Sequence, residues 1–593
     1  MTRHIARSRI PAFASPAVAA LLLQAAALGG AVAAPAGAGR SDAPAAAPTA
    51  ACAAEGTGIV LPAGFCATVF ADNLGHARHL VIASNGVVYV NTWSGPYFNT
   101  KPPAGGFLVA LRDTRGTGHA DVIRRFGDGV PEGSAGGTGI AIYGGALYFE
   151  QNDRIMRYRL PDKAMVPKGR AELIVSGLPL DGDHPMHPFV IDAAGSIFLD
   201  VGSATNSCQA ANRMPRSPGL SPCKELETRG GIWRFDAKRS GQRFSPAQRY
   251  ATGIRNGEGM SFDSAGRMYV TQHGRDQLGE NWSNLYGPGV GQELPAEEVM
   301  LLQQDGDYGW PFCYFDGAQK RLVLAPEYGG DGGHAIGICA QKRAPVAAFP
   351  AHWAPNDLVI YNAQQFPPPY RGGAFIAFHG SWNRAPGPQA GYNVAFQPLA
   401  DAAASGDYIV FADGFAGAEK APGRAAFRPT GLAVAPDGAL YVSDDEHGRI
   451  WRISYHGGAD VPTTLVSARI AARADGQHDA RRPLDSLPLA PGTTREQLVL
   501  GDHIFHGEAA GGTCSGCHSS DGKGSAVGSD LTTGSWLWGD GSLQSLAATI
   551  TMGVPAARKS MGSMPPLGGA TLSPTDVNAV AAYVWAIGHE RGQ

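Results

Sequence analysis

The sequence predicts an all-β propeller of six four-stranded blades, followed by a second, smaller domain. The first observation is a hairpin pattern that returns six times between residues 58 and 456: an apolar strand, a turn containing glycine, and a second apolar strand. The second is the spacing of these returns, because their uneven intervals fit blades separated by long inserts. The third is length, since 593 residues exceed what a single hydrophobic core usually holds.

Each repeat predicts one hairpin of a blade, and some repeats continue into a further apolar strand. A propeller binds its ligand where strand ends and connecting loops meet near the central channel. We therefore look for functional residues just before and just after the hairpins. The six turns lie at Asn85-Gly86, Gly144-Gly145, Ala194-Gly195, Ala265-Gly266, Gly372-Gly373 and Asp437-Gly438.

The N-terminal segment predicts export. Arg3, Arg7 and Arg9 precede an Ala/Leu-rich run, so residues 1–33 are interpreted as a Sec-type signal peptide and the mature protein as periplasmic. Residues 34–57 are rich in Ala, Pro and Gly and are expected to form a disordered linker. No later run of apolar residues is long enough to suggest a membrane span after signal cleavage.

Charge and cysteine usage narrow the function classes. The formal net charge is −3 and no Lys/Arg-rich run occurs, which argues against a nucleic-acid partner. Outside the C-terminal domain six cysteines fall into sequence-local pairs. In an exported protein they predict three disulfides, although six cysteines allow fifteen connectivities. The favoured pairs are Cys52 with Cys66, Cys208 with Cys223, and Cys313 with Cys339.

The most specific motif is Cys514-Ser-Gly-Cys517-His518. Two thiols three positions apart on one helical turn can add to the vinyl groups of a haem, and the histidine that follows can bind the iron. The alternative is a redox-active or zinc-binding CxxC that precedes a histidine by chance. With its surroundings the motif resembles a class I cytochrome c. This implies a small all-α domain over residues 491–593, preceded by a linker over residues 457–490.

A second axial ligand for the iron is expected on a methionine. Met564 precedes two prolines, which would rigidify its loop, and a thioether ligand raises the reduction potential. Met561 and Met552 are the competing candidates. We favour Met564.

Polar residues cluster at the ends of several hairpins. An Arg, Asn, Gln and His set at both ends of one blade strand indicates a polyanionic or carbonyl-rich ligand, and Glu297 with Glu298 would suit a cation such as Ca²⁺. The stretches are Asp183-His184, Arg255-Asn256-Gly257, Gln272-His273-Gly274-Arg275, Asp307-Tyr308-Gly-Trp-Pro311, His379-Gly-Ser-Trp-Asn-Arg384 and Arg428-Pro-Thr-Gly431.

Taken together, these stretches resemble the glucose/sorbosone dehydrogenase family, whose members are six-bladed propellers that use pyrroloquinoline quinone (PQQ) and Ca²⁺. The order of propeller and then cytochrome is similar to that of sorbosone-type members with a fused haem domain. The resemblance implies that electrons pass from an aldose, sorbosone-like sugar, alcohol or aldehyde to PQQ. They would continue to the haem and then to an external acceptor, such as another cytochrome c or a terminal oxidase.

The resemblance also assigns roles to individual residues. His184 would be the general base while hydride moves to the C5 carbonyl of the quinone, and Arg255 would stabilise the developing oxyanion. The remaining assignments concern cofactor contacts. They are Asn256, Arg428, His379, Arg384 and Arg78 for PQQ, the backbone carbonyls of Gly274 and Arg275 for the catalytic Ca²⁺, and Glu298 and Tyr308 for a structural Ca²⁺.

One departure from the family pattern concerns the base. Where the glucose-oxidising branch has an aspartate that orients the histidine, this chain has Ser203, so Asp200 or Asp183 would have to substitute or no carboxylate would act. This favours a sorbosone-like substrate over glucose. Two alternatives stay open at this point: an eight-bladed quinohaemoprotein alcohol dehydrogenase, and a non-catalytic propeller that docks an electron-transfer cytochrome.

Overall fold

The fold was taken from a computed structural model of the chain. It describes residues 56–94, 104–127, 136–161, 164–287, 289–381, 383–384, 388–421, 424–457, 465, 483–510, 514–518, 521–524, 528–554, 564–570 and 572–589. The predicted signal peptide, nearly all of the predicted 34–57 linker, Cys52, Met561 and most of the predicted 457–490 linker lie outside these ranges. Among the residues described, no helix is both long and apolar enough to cross a membrane.

Six sheets with four principal strands form the first domain, as the hairpin pattern predicts. In the first three blades the strands pair antiparallel in chain order, so that each hairpin is a local contact. They are β2 (Ala77–Ile82), β3 (Val88–Thr92), β4 (Leu108–Arg112) and β5 (Val122–Phe126); β6 (Ile140–Tyr143), β7 (Ala146–Gln151), β8 (Arg154–Arg159) and β9 (Glu172–Ser176); and β10 (Phe189–Ile191), β11 (Ser196–Val201), β12 (Gly231–Asp236) and β14 (Arg249–Thr252).

The other three blades follow the same plan, and the last is completed by β1 (Phe65–Ala71), which pairs with β29 (Ile450–Tyr455). The N-terminal strand thus closes the ring of blades. The remaining strands of these blades are β15 (Met260–Phe262), β16 (Met268–Gln272), β17 (Glu297–Leu302) and β20 (Ala347–Phe349); β21 (Pro355–Ile360), β22 (Ala374–Phe378), β23 (Asn393–Gln397) and β26 (Ile409–Ala412); and β27 (Pro429–Val434) with β28 (Leu440–Asp444).

Inserts between the blade strands carry the short elements. The strand β13 (Gln242–Arg243) joins β9 in parallel, while β18 (Cys313–Asp316) pairs with β19 (Arg321–Leu324) and β24 (Leu399–Ala400) with β25 (Ala403–Ala404). Two single-turn helices, α1 (Leu278–Asn281) and α2 (Val290–Glu293), lie between β16 and β17. The predicted disulfides Cys208–Cys223 and Cys313–Cys339 are both present in the inserts.

The second domain is helical, as its resemblance to a cytochrome c implies. It contains α3 (Arg495–Phe505), α4 (Cys514–His518), α5 (Leu543–Met552) and α6 (Pro574–Gly588). The two longest helices start at capping boxes, Thr494 with Gln497 and Ser573 with Asp576, which satisfy the first backbone N–H groups. Gly501 lets α3 approach the backbone of α6 at Ala579 without a Cβ in the way.

The apolar core between the last two blades depends on the closing strand. The ring of Phe65 in β1 packs edge-on against Phe366 at 4.8 Å, Phe411 at 4.9 Å and Tyr370 at 5.2 Å. Edge-to-face aromatic pairs of this kind add to the free energy gained by burial. One side chain of β1 therefore anchors the closure of the ring.

Phe65→Ala is expected to lower the free energy of unfolding of the propeller by about 3–5 kcal/mol, because it leaves a cavity against three aromatic rings. Urea unfolding followed by tryptophan fluorescence measures this loss. The matched control is Ile123→Ala in β5, where the side chain is 42% exposed and little change is expected. Equal losses in the two variants would contradict the role given to β1.

Candidate functional site

His184 lies in the segment between β9 and β10 and is buried. Its ring Nδ1 is 2.9 Å from the carbonyl oxygen of Ser203 and 3.0 Å from the hydroxyl oxygen of the same residue. The Ser203 hydroxyl itself donates to the carbonyl of Thr205 at 2.7 Å. Both Ser203 oxygens therefore accept from His184, and the proton resides on Nδ1.

This tautomer leaves Nε2 of His184 with a lone pair. Among the described residues no hydrogen-bond partner of Nε2 is found, so this atom can accept a proton from a ligand. Burial and, next, the charge of Arg255 lower the pKa of His184 to about 3, against an opposing effect of Asp183. The imidazole is accordingly neutral at ordinary pH. Ser203 thus holds His184 at the position where the glucose-oxidising branch has an aspartate.

Gly202 brings His184 and Asn256 together. A Cβ on Gly202 would lie 2.6 Å from the Cβ of His184 and 3.0 Å from the side-chain oxygen of Asn256. That oxygen is buried and accepts no hydrogen bond from a described residue. The loop after β11 therefore brings the side chains of His184 and Asn256 close to each other.

Arg255 is buried and fixed by four contacts. Its guanidinium donates to the carbonyl of Asn206 at 3.2 Å, to the side-chain oxygen of Asn206 at 3.0 Å, to the carbonyl of Gly274 at 3.0 Å and to Asp276 at 2.9 Å. The pKa of Asp276 lies below its usual range, because Arg255 and Arg213 outweigh the effect of burial, which alone would raise it. The guanidinium is preorganised beside the base.

The backbone that is predicted to bind the catalytic Ca²⁺ lies among arginine side chains. The carbonyl of Gly274, predicted to bind the catalytic ion, accepts from Arg255, and the side chain of Arg275 pairs with Glu327 at 2.5 Å. No group of three or more His, Cys, Asp or Glu side chains is arranged to hold a metal within the described part of the chain. Neither observation tests a Ca²⁺ ion held by backbone carbonyls, because a carbonyl oxygen that accepts one hydrogen bond keeps a second lone pair. This assignment therefore stays a prediction, and we derive no step through the ion.

Glu298 and Tyr308, which are predicted to bind a structural Ca²⁺, each form a hydrogen bond within the protein. The hydroxyl of Tyr308 donates to the carbonyl of Leu301 at 2.6 Å, and Glu298 accepts from Gln272 at 2.9 Å. Burial raises the pKa of Glu298, and that of its neighbour Glu297, to about 8. Oε2 of Glu298 is buried and has no hydrogen-bond partner among the described residues, so the structural Ca²⁺ assignment stays a prediction.

A second polar group surrounds Asp445. Its carboxylate accepts from Arg78 at 2.6 Å and lies 2.7 Å from Nε2 of His379, and Arg428 donates to the carbonyl of His379 at 3.2 Å. Arg78 also donates to Glu258, two residues beyond Asn256, at 3.1 Å. The predicted contacts Arg78, His379 and Arg428 are therefore gathered on one network that continues to Asn256. This supply of cations and amides fits an anionic, carbonyl-bearing cofactor such as PQQ.

Arg384 is the exception among the predicted contacts. Its guanidinium donates to the carbonyls of Gln292 and Ala351 and pairs with Glu293 at 2.5 Å. It therefore fastens α2 to its surroundings. The preceding Asn383 reaches the site instead, donating to Asp276 at 2.6 Å.

Two residues of the site were not predicted from the sequence. Arg213 pairs with Asp183 and with Asp276, and Asp445 links Arg78 to His379. Arg213 lies in the loop closed by the Cys208–Cys223 disulfide, and that loop was the available signal. Asp445 follows a strand end in the last blade, where ligand contacts are expected.

The haem motif forms α4, and its geometry suits an iron ligand. Nδ1 of His518 is 2.8 Å from the carbonyl of Ser529, an arrangement that directs Nε2 away from that carbonyl and toward a metal. Met564 is held by a pair of backbone hydrogen bonds with Val554, at 2.7 and 2.9 Å. Both Met564 and Cys514 pack at the edge of the apolar core of the helical domain. Met552 is 69% exposed, and Met561 is outside the described residues.

Comparisons with protein families agree with this division. A family model described as TrAA12-like matches residues 59–456. A second, described as cytochrome C oxidase, cbb3-type, subunit III, matches residues 507–584. The first family match covers the propeller and the second covers the helical domain. The expected order of a PQQ-dehydrogenase-like propeller followed by a cytochrome c is therefore confirmed.

Curated relatives match parts of the chain. An uncharacterized protein of Borreliella burgdorferi is 24% identical over 217 residues, covering 35% of this chain and 48% of the relative. A pyrroloquinoline quinone-dependent pyranose dehydrogenase of Coprinopsis cinerea is 28% identical over 242 residues, covering 34% and 30%. A cbb3-type cytochrome c oxidase subunit CcoP of Rubrivivax gelatinosus is 31% identical over 106 residues, covering 18% and 30%. The chain spans less than half the length of each of these relatives.

Solved structures resemble the propeller. A Trichoderma reesei carbohydrate-active enzyme of family AA12 superimposes with a TM-score of 0.53 at 19% identity, covering 67% of this chain and 97% of that one. The PQQ domain of Coprinopsis cinerea pyranose dehydrogenase, in its holo form, gives 0.50 at 20% identity with the same coverage. At these identities the likeness shows the fold, and the six-bladed prediction is confirmed.

Met564→Ala is expected to leave the haem covalently attached and to lower its reduction potential, because loss of a thioether ligand removes what stabilises the reduced iron. Spectroelectrochemical titration of the haem absorbance measures the potential. Met552→Ala is the matched control, since its exposed side chain should leave the potential unchanged. A fall in Met561→Ala but not in Met564→Ala would assign the ligand to the competing methionine.

Proposed function

We propose that this chain, which belongs to the TrAA12-like family over residues 59–456, is a periplasmic quinohaemoprotein dehydrogenase. It oxidises a sugar with PQQ and passes the electrons to a haem c on its own C-terminal domain. An external acceptor, such as another cytochrome c or a terminal oxidase, then takes them. The signal peptide and the family's use of Ca²⁺ belong to the same proposal.

The observation that carries the proposal is the arrangement around His184. Its Nδ1 is committed to Ser203, its Nε2 faces no described protein group, and Arg255 and Asn256 stand beside it. Buried polar groups without a partner are costly unless a ligand completes them. An oriented neutral base next to a fixed guanidinium supports proton abstraction with stabilisation of a developing negative oxygen.

In the reaction, Nε2 of His184 accepts the proton of the substrate hydroxyl. Proton transfer turns the imidazole into an imidazolium, whose Nδ1–H continues to donate to Ser203. When bound, PQQ supplies a two-electron acceptor for the hydride of the same carbon. Arg255 keeps its charge beside the site where negative charge develops, because Asp276 and Asn206 hold the guanidinium in place.

The haem domain provides the exit for electrons. Cys514 and Cys517 would hold the haem, and His518 and Met564 would be its axial ligands. Because the domain is tethered to the propeller, its effective concentration at the reaction site is high and re-oxidation does not await a collision. Arg424 of the propeller pairs with Asp521, three residues after His518, at 2.5 Å, which brings the haem motif onto the propeller surface.

The substrate class rests on two considerations. The curated relative from Coprinopsis cinerea is named a pyranose dehydrogenase, which supports a sugar. The replacement of the orienting aspartate by Ser203 makes the base less strongly polarised than a carboxylate would, since a hydroxyl carries no charge. We therefore favour a sorbosone-like sugar or a related aldose, alcohol or aldehyde over glucose.

The eight-bladed alternative does not hold, because the described propeller has six blades. The docking-module alternative predicts scattered positions for His184, Arg255 and Arg428. Instead, the charge of Arg255 lowers the pKa of His184, and Asn383 links the segment that binds Arg428 to Asp276, which also holds Arg255. This convergence supports catalysis.

Haem reduction in the oxidised protein is the direct test. We expect the haem absorbance to change to the reduced form only when PQQ, Ca²⁺ and one class of substrate are all present, in a panel of aldoses, sorbosone and simple alcohols. Omitting each component in turn is the control. A haem that dithionite reduces but no substrate does would defeat the proposed activity.

His184→Gln is expected to lower kcat/KM by about 10²–10⁴-fold, because it removes the proton acceptor and keeps a similar volume. The pH profile adds a second reading. Because the folded-state pKa of His184 is lowered to about 3, protonation of the base should reduce kcat/KM only as the pH falls toward 3, well below the ordinary histidine value of about 6.5. An acid limb centred at 6.5 would show that the histidine is solvated in the working enzyme.

His503→Gln, on the exposed side of α3, is the matched control for this substitution and should leave kcat/KM unchanged.

The lowered pKa of His184 also makes the free energy of unfolding depend on pH. Below about pH 6.5 the unfolded chain protonates this histidine while the folded one does not, so its contribution to stability decreases as the pH falls toward 3.

A further inference from the structure

Four side chains of alternating charge form a row at the edge of the candidate site, of which Arg255 is buried and the other three are partly exposed. Arg213 donates to Asp183 through Nε at 3.0 Å and Nη2 at 2.8 Å, and the same Nη2 lies 2.9 Å from Asp276. The shared oxygen of Asp276 also accepts from Arg255 at 2.9 Å. The order is therefore Asp183, Arg213, Asp276, Arg255, and the formal charges cancel.

Each end of this row adjoins or includes a group that acts in the proposed reaction. Asp183 immediately precedes the base His184, so holding its carboxylate fixes the loop on which the base is carried. At the other end Asp276 fixes the guanidinium of Arg255. Because these paired charges are at most partly exposed, removing one of them leaves its partner without compensation. Arg213 in the middle thus restrains the base and the arginine together.

The same row reaches the haem domain. Arg213 donates through Nη1 to the side-chain oxygen of Gln277 at 3.5 Å, and Gln277 is buried. On its other side, a Cβ placed on Gly569 would lie 3.2 Å from Nε2 of Gln277. Gly569 ends the short segment that begins at Met564, the expected iron ligand. The loop that carries this ligand therefore rests on the neighbour of Arg213.

The loop that presents Arg213 is braced for this position. The Cys208–Cys223 disulfide closes it, and the backbone N–H of Arg213 donates to the side-chain oxygen of Gln209 at 3.0 Å. Arg213 has a φ of 60°, in the left-handed region that residues other than glycine seldom occupy. Strained positions of this kind persist only where the surroundings determine them.

We propose that Arg213 is a positioning residue that couples the reaction pocket to the haem domain, holding the His184 loop through Asp183, Arg255 through Asp276, and the methionine loop through Gln277. The inference rests on the proposed function where it concerns the role of the pocket in the reaction. Its haem side does not, because the contacts with Gln277 and Gly569 belong to the protein without quinone or sugar.

The first test uses the haemoprotein without PQQ. Arg213→Met removes the positive charge and keeps the side-chain length, so the oxidised haem should be favoured and the reduction potential should fall. Arg213→Lys keeps the charge and should retain a potential close to that of the wild type. Arg157→Met is the matched control, since Arg157 forms an ion pair with Glu172 on an outer part of the second blade.

The second test measures amide hydrogen exchange in a peptide covering residues 564–570. Loss of the Arg213 contact to Gln277 should raise exchange there in Arg213→Met, and the control should match the wild type. In the PQQ-loaded protein, Arg213→Met should slow haem reduction by sugar about 100-fold through misplacement of the base and the guanidinium, while Arg213→Lys should show a smaller loss.

Unchanged potential together with unchanged exchange in Arg213→Met would overturn the inference. If no sugar reduces the haem of the wild type, the proposed function fails instead, and the two measurements made without PQQ still decide the role of Arg213 at the haem. By contrast, a folded Arg213→Lys variant supports the inference if its haem keeps the wild-type reduction potential and is reduced by sugar more slowly than in the wild type.

Discussion

The cost of burying charge governs the candidate site. Asp276 has little contact with solvent, and a carboxylate in that position is tolerated only if donors surround it. Arg255, Arg213 and Asn383 supply them, so that both carboxylate oxygens are occupied. Every other feature of the pocket follows from this pairing, because the positions of the base loop, the guanidinium and the methionine loop are all set by groups that bind Asp276 or its partners.

The propeller makes such pairing possible because it brings distant segments to one place. Arg255 precedes the hairpin of the fourth blade, Arg213 comes from the disulfide-closed insert of the third, and Asn383 follows β22 in the fifth. Each segment alone exposes a charge or an amide at a strand end. Within the ring of blades that β1 closes, these ends meet within hydrogen-bond distance.

Local pattern explains what the sequence could predict. The six hairpins join neighbouring strands, so alternating apolar residues and turn glycines indicate the fold directly, and the CxxCH motif lies within one helical turn. His184 was accessible through a family resemblance. The role of Arg213 was not, because its partners lie 30 and 63 positions away and no periodicity connects them. That Ser203 would orient His184 with both its carbonyl and its hydroxyl likewise depends on a contact across 19 residues.

The contacts between the propeller and the helical domain differ in how firmly they can fix the orientation of the two domains. The Arg424–Asp521 pair is partly exposed on the arginine side, and pairs of that kind contribute about 0.2–1 kcal/mol and weaken with salt. It can favour association but hardly fixes an orientation. The approach of Gly569 to Gln277 is different, since a Cβ on Gly569 would lie only 3.2 Å from Nε2 of Gln277 and the backbone has a φ of 84°, which favours glycine. The packing of the loop that begins at Met564 against the propeller therefore depends on the contact that Gln277 and Arg213 make together.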